Sequence, residues 1–213
     1  MRVTERYDKR SNEILDASEN LFITKGYEKT TINDILDGVG IGKGTFYHYF
    51  KSKEEVMDAV IMRMANNVKI ASQKIADMPE LSANEKIIKI FTEQSGKNDA
   101  IVEQLHHDDN SAMHLKSLVE AILALSPALT QIIKQGIDEG VYNTPYPRES
   151  VEFLFTAAQF LLDQGLFKWT ADELMLRVKA FTYILETVLG AEKGCFDFLY
   201  SLYETMLHME PNI

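Results

Sequence analysis

Residues 38–50 read GVGIGKGTFYHYF, and the fold turns on whether this stretch cradles a phosphate or opens a helix. Glycines stand at Gly38, Gly40, Gly42 and Gly44, Lys43 sits among them, and Phe46, Tyr47, His48, Tyr49 and Phe50 follow. A P-loop needs GxxxxGK followed by Ser or Thr, so that backbone amides wrap the phosphate and the hydroxyl holds magnesium. Gly38 and Gly42-Lys43 are one residue too close together for that motif, and Gly44 occupies the hydroxyl's place. The dinucleotide fingerprint GxGxxG fails too, because Gly40 and Gly42 require a third glycine where Thr45 stands. Both motifs follow a strand, whereas residues 31–38 read as a capped helix.

A helix beginning at Lys43 accounts for more of these residues. It places 43, 44, 47, 48 and 51 on one face and turns Phe46, Tyr49 and Phe50 largely toward the other. Phe46 and Phe50 then close a small core against Ile14, Leu15, Ile32, Ile35 and Ile41, while Lys43, Gly44, Thr45, Tyr47 and His48 point outward. Two short helices joined by a glycine-containing turn, with a polar outer face on the second, make a helix-turn-helix. Gly44 allows close backbone approach, and Tyr47 and His48 offer hydroxyl and imidazole hydrogen bonds. Tyr49 reads better as a half-buried aromatic.

The flanking sequence is helical throughout, with no sustained alternation to suggest a sheet. Ile14, Leu15, Leu21 and Phe22 stripe a first helix that Gly26 closes. Thr31, with Asp34 three residues on, caps a second helix carrying Ile32, Ile35 and Leu36. Ser52 with Glu55 opens a long fourth helix, roughly 40 Å at the α-helical rise, which Pro79 stops. Ser82 with Glu85 opens another, Gly96 and Asn98 interrupt, and HHDDNS at 106–111 reads as a loop. Ser126-Pro127 is expected to restart a helix that Gly140 ends, since proline suits a first turn and glycine an exit. Further amphipathic segments fall at about 148–165, 171–190 and 195–209. The expected fold class is therefore all-α. Residues 1–53 are expected to form a three-helix domain of helix-turn-helix type and residues 54–213 a larger helical domain; DNA binding by the first, and effector binding and dimerisation by the second, are what a family resemblance at residues 10–56 implies.

Charge divides along the same line. The chain of 213 residues carries a net charge of -10, which by itself disfavours a phosphate-rich partner. Residues 1–53 hold 9 Lys and Arg against 8 Asp and Glu, so the acidity belongs to the C-terminal part. A net of +1 is small for a DNA-binding module. Affinity must come from a few well-placed cations. The N-terminus lacks the apolar run of a signal peptide and no 18 apolar residues follow one another, so a cytoplasmic protein without membrane contact is expected. The one cysteine, Cys195, excludes an internal disulfide and a cysteine-based zinc site.

At residues 10–56 the chain resembles the DNA-binding domain of the TetR family of bacterial transcriptional repressors. The family pattern TT..DI...GV..GT.Y.YF.SKE.L is met by Thr30, Thr31, Asp34, Ile35, Gly40, Ile41, Gly44, Thr45, Tyr47, Tyr49, Phe50, Ser52, Lys53 and Glu54. Two positions depart from it. Gly42 replaces a usual Ser or Thr cap, which costs a few tenths to about 1 kcal/mol of helix stability, and Val39 replaces a usual alanine. The resemblance implies a homodimer on an inverted-repeat, double-stranded operator, released by a small-molecule effector, with helices from about 148 onward pairing between subunits. Phe153, Phe155, Phe160, Leu161 and Leu162 offer the apolar surface for that pairing.

Within this reading Lys43, Gly44, Thr45, Tyr47 and His48 meet DNA, and Thr31, Lys51 and Lys53 reach phosphates. Lys53 lies in a first helical turn, where the macrodipole disfavours a cation and a phosphate would justify it. Phe91, Met113, Gln159 and Trp169 are candidates for the effector cavity, the acidity of this half favouring a cationic or neutral hydrophobic effector. No cofactor and no metal is expected. His106-His107 with Asp108 and Asp109 invite a metal reading, but adjacent histidines in a polar loop rarely converge on one metal. The alternatives are a helical adaptor that never meets DNA, which the acidity would suit, and an enzyme, for which HExxH and GxSxG motifs are both missing.

Overall fold

The structure is a computed structural model, and it describes residues 3–94 and 111–209. Among these residues all regular structure is helical: α1 Val3–Lys25, α2 Ile32–Val39, α3 Lys43–Tyr49, α4 Lys53–Ala76, α5 Ala83–Gln94, α6 Ser111–Asp138, α7 Pro147–Leu161, α8 Ala171–Leu189 and α9 Phe198–Met209. The expected breaks at Gly96 and Asn98, and the residues His106, His107, Asp108 and Asp109, lie outside the described residues.

Capping chemistry sets most of the helix limits. Thr31 accepts the Asp34 amide, and the Asp34 carboxylate accepts the Thr31 amide, a reciprocal box at the start of α2. Gly40 ends α2 in the left-handed region at φ 71°, and its amide and that of Ile41 both donate to the Leu36 carbonyl. Ser82 with Glu85 and Thr170 with Glu173 form the same box before α5 and α8. At α4 the Ser52 hydroxyl accepts the Glu55 amide as expected, but the Glu55 carboxylate takes the Lys51 amide instead of that of Ser52.

Pro127 does not begin a helix. It lies inside α6, which runs through it from Ser111 to Asp138. Leu125, Ala128, Leu129, Ile132 and Ile133 on either side of it are buried in one core. That burial outweighs the one rung of the hydrogen-bond ladder that proline removes. The expectation of a helix start rested on local signals alone, and tertiary packing overrode them.

The described residues fall into two compact units. The chain up to Ala65, with residues 111–117, forms the first. Residues 66–94 and 118 onward form the second. In the first, Ile14, Phe22, Ile35 and Phe46 are fully enclosed together with Val56, Met57 and Val60 from the start of α4. The packed unit thus extends beyond residue 53, because α1 and the two short helices after it close their core only with the first turns of α4. In the second, Ile87, Ile90, Ile132, Leu189 and Phe196 centre a larger core. Gly136 is held there by close approach: a Cβ would overlap the ring of Tyr142, which stacks on Phe196 at 6.0 Å.

Candidate nucleic-acid interface

The outward face of α3 matches the pattern read from the sequence. Phe46 and Phe50 are buried, their rings 6.2 Å apart, while Lys43, Gly44, Thr45, Tyr47 and His48 are exposed. Tyr47 is half exposed although its ring edge rests on Phe46. Tyr49 is half-buried and its ring packs edge-on against His48 at 5.1 Å. The seven-residue α3 is preceded by Gly42 at its N-cap, whose backbone is extended and which supplies no side-chain cap. A Cβ at Gly42 or at Gly44 would meet nothing within 4 Å, so neither glycine is required by the packing of the chain. Gly44 stands in the first turn of α3, where no internal contact requires a glycine.

Three cations around this face differ in their commitments. Lys43 and Lys51 are exposed and form no ion pair among the described residues. Lys53 has an internal partner: its ammonium donates to the Tyr27 carbonyl at 2.9 Å and lies 4.1 Å from the Tyr27 ring centroid. The carbonyl and ring explain a cation in the first turn of α4 without a phosphate, and one of its three donors is used. Thr31 is likewise committed. Its hydroxyl donates to the Asp34 carboxylate at 2.7 Å, so its single hydrogen serves the cap of α2. Lys25 pairs with the same carboxylate at 2.6 Å. The lysine, followed by the two Thr31 hydrogen bonds, holds the Asp34 carboxyl far below the usual carboxylate range.

The second unit contains a cavity of about 340 Å³. Phe91 and Gln159 line it. Met113 does not: it sits at the start of α6, in the first unit, and packs against the N-terminal core. Trp169 does not either. It packs with Leu162, Leu174 and Val178, stacks on Phe167 at 5.1 Å, and donates its indole N–H to the Leu161 carbonyl. Phe181, Asp163 and Tyr203 are cavity residues that the sequence reading did not name, and Phe155 and Leu162, expected on the dimer surface, line the cavity instead. Phe155, Ala158, Gln159 and Leu162 lie at i, i+3, i+4 and i+7, a spacing that identifies one helical face but cannot tell a filled core from a hollow one.

Two family models match the chain: bacterial regulatory proteins of the tetR family over residues 14–60, and a tetracyclin repressor-like C-terminal domain over residues 93–184. The chain belongs to the TetR family. The second match extends family membership beyond the N-terminal residues 10–56 that carry the resemblance in sequence. An uncharacterized HTH-type transcriptional regulator of Lactococcus lactis subsp. lactis is 56% identical over 57 residues, which is 27% of this chain and 28% of that protein. The HTH-type transcriptional regulator EthR of Mycobacterium tuberculosis is 33% identical over 98 residues, 44% of this chain and 45% of its own. The matched segments thus span less than half the length of these curated relatives. A crystal structure of a TetR-family regulator from Pectobacterium atrosepticum superposes with a TM-score of 0.65 at 18% identity, covering 88% of this chain and 98% of that one, which establishes the fold. TetR-family proteins are regulators rather than enzymes, so the enzyme reading is set aside.

Proposed function

We propose that this TetR-family chain is a cytoplasmic, ligand-responsive transcriptional repressor that binds an inverted-repeat operator as a homodimer. The observation that carries the reading is α3: a short helix behind a glycine turn, anchored by Phe46 and Phe50, with Lys43, Gly44, Thr45, Tyr47 and His48 all exposed on its outer side. Such a helix fits a major groove, where Tyr47 and His48 meet base edges and Gly44 lets the backbone come close. Lys43 and Lys51 meet phosphates, with Lys53 contributing through its unused donors. Thr31 acts by positioning α2 and not by touching DNA. Functionally we draw the line at residue 53, with DNA binding before it and effector binding and dimerisation after it.

The dimer rests on a surface of the second unit. Phe153 is 79% exposed, and Leu176 and Tyr183 about two thirds. Phe153 and Phe160 stand seven residues apart on α7, as do Leu176 and Tyr183 on α8, and the two helices pack against each other. Apolar stripes on two neighbouring helices offer a surface that two copies of the chain can bury against each other about a two-fold axis. A two-fold pair of recognition helices then spans half-sites about one helical turn of DNA apart.

Release follows from α4. It begins directly after the recognition helix and contributes its second half to the unit that holds the cavity. A ligand in the cavity shifts this helix and misaligns one recognition helix, so ligand and operator oppose each other by a reciprocal coupling. The test is selection of binding sites from random duplexes, followed by titration of the selected site over a range of salt. An inverted repeat whose affinity falls steeply with salt and survives unrelated competitor DNA supports the reading. Failure to enrich any sequence would sink it and favour a helical adaptor, the role the net charge of -10 would suit.

A further inference from the structure

The cavity of the second unit has aromatic walls and two hydrogen-bonding groups that the chain leaves unused. Phe91 of α5, Phe155 of α7, Phe181 of α8 and Phe196 line it. Among the described residues three polar side chains join them: Gln159, Asp163 and Tyr203. Asp163 is engaged by the chain itself, its carboxylate accepting the Leu166 amide at 2.9 Å. The other two differ, since neither the Gln159 amide nor the Tyr203 hydroxyl has a hydrogen-bond partner among the described residues. Ala158 of α7 and Tyr203 of α9 pack on one small cluster, Leu162, Leu174 and Val178, which sets Tyr203 beside the turn of α7 that carries Gln159. Burial, and then the charge of Asp163, push the Tyr203 hydroxyl up to about 12, so it keeps its proton at neutral pH and can donate it. Polar groups set into an apolar wall are nearly always paired, and two open ones on a cavity call for a partner from outside the chain.

We infer that the effector is an uncharged lipophilic carbonyl compound, its oxygen accepting from the Gln159 amide and the Tyr203 hydroxyl and its hydrocarbon body lying against the phenylalanines. This rests on the reading of the cavity as the effector site and adds its chemical class. A carbonyl oxygen has two lone pairs, so one atom meets both donors at once. An ammonium brings three donors and no acceptor, which leaves the hydrogens of Gln159 and Tyr203 unmet. A carboxylate could accept both, but it must give up its hydration to enter an apolar space, a cost that neutral donors do not offset. A plain hydrocarbon gains the burial and leaves both groups open. At about 340 Å³ the volume is at the small end of ligand cavities and suits a single chain or ring system.

Calorimetry of the full chain with 2-octanone, octylamine, octanoate and 1-octene, each below its solubility and micellar limits, tests this directly. The ketone should bind at least about tenfold more tightly than each of the other three, the equivalent of two neutral hydrogen bonds. Gln159→Leu and Tyr203→Phe should each weaken the ketone about fivefold and leave 1-octene unchanged, a selectivity that a mere loss of packing would not produce. Ala158→Phe, which narrows the cavity without touching either group, should weaken all four. Octylamine or octanoate binding as tightly as the ketone, a preference for the ketone over 1-octene that survives both substitutions, ketone binding that Ala158→Phe leaves intact, or no binding by any probe would each overturn the inference. Operator titrations run in parallel separate the two levels. Ketone binding with no effect on the operator supports the cavity chemistry and overturns its regulatory role, whereas operator release by a charged probe alone overturns the chemistry and keeps the role.

Discussion

Phe46 of α3 is wholly buried, and the residues on either side of it are exposed and polar or small. Phe153 of α7 is 79% exposed, whereas Leu154 and Phe155 directly after it both line a cavity, Leu154 as part of the buried core. Neighbouring apolar residues of the second unit thus have different fates. The first unit is small enough that each large apolar side chain has one place to go, and most of its surface reads as polar by subtraction. The second unit has to fill a core, leave a cavity and present a surface, and apolarity alone does not say which residue does which.

The strongest way to break this contrast is Phe46→Ala. Truncating a fully enclosed phenylalanine costs about 3–5 kcal/mol, enough to unfold a unit of this size, so thermal unfolding should lose its N-terminal transition and operator binding should vanish. The matching change in the second unit, Phe153→Glu with Tyr183→Glu, should leave helix content unchanged by circular dichroism and yield monomers by light scattering at micromolar concentration. A persistent dimer would show that the exposed stripe serves something else.

How legible each unit was follows from the same contrast. Turn and cap chemistry is local, so Thr31, Gly40 and Ser52 marked the first helices at their observed places, and periodicity put Phe46 inward and Tyr47 outward. Pro127 shows where local signals lose: its neighbours on α6 are held by residues from α5, α7 and α9 that no window around it contains. Lys53 and Thr31 were assigned to phosphates because their internal partners are distant or shared, Tyr27 lying 26 residues away and Asp34 already occupied by the cap. Met113 and Trp169 were placed by composition, which cannot tell a cavity wall from a neighbouring core.

Smaller effects sharpen the account of the interface. His48→Ala should cost about 1–3 kcal/mol at the base pair it reads and little elsewhere, whereas Lys51→Ala should weaken all duplexes alike and flatten the salt dependence by about one unit of log-log slope. Equal loss of specificity from both would contradict the assignment. Asp34→Asn should change the acid limb of stability. The folded carboxyl is held low by Lys25 and Thr31, so its contribution is complete above the ordinary carboxylate range and is lost as pH falls below it. The variant should lack that part of the acid transition in urea titrations from neutral pH downward. Least of all, Gly42→Ser should restore the missing cap of α3 and gain a few tenths of a kcal/mol, read as a small rise in the midpoint of the N-terminal transition.

The glycines of the two units answer to different judges. Gly136 is fixed from within, by the ring of Tyr142, whereas Gly42 and Gly44 have open space where a side chain would go. A library of variants screened only for a folded, soluble chain should therefore keep Gly136 and replace Gly44 with alanine freely. The same library screened for repression in cells should recover glycine at position 44, and the gap between the two screens would chart, residue by residue, where the chain is shaped by a molecule other than itself.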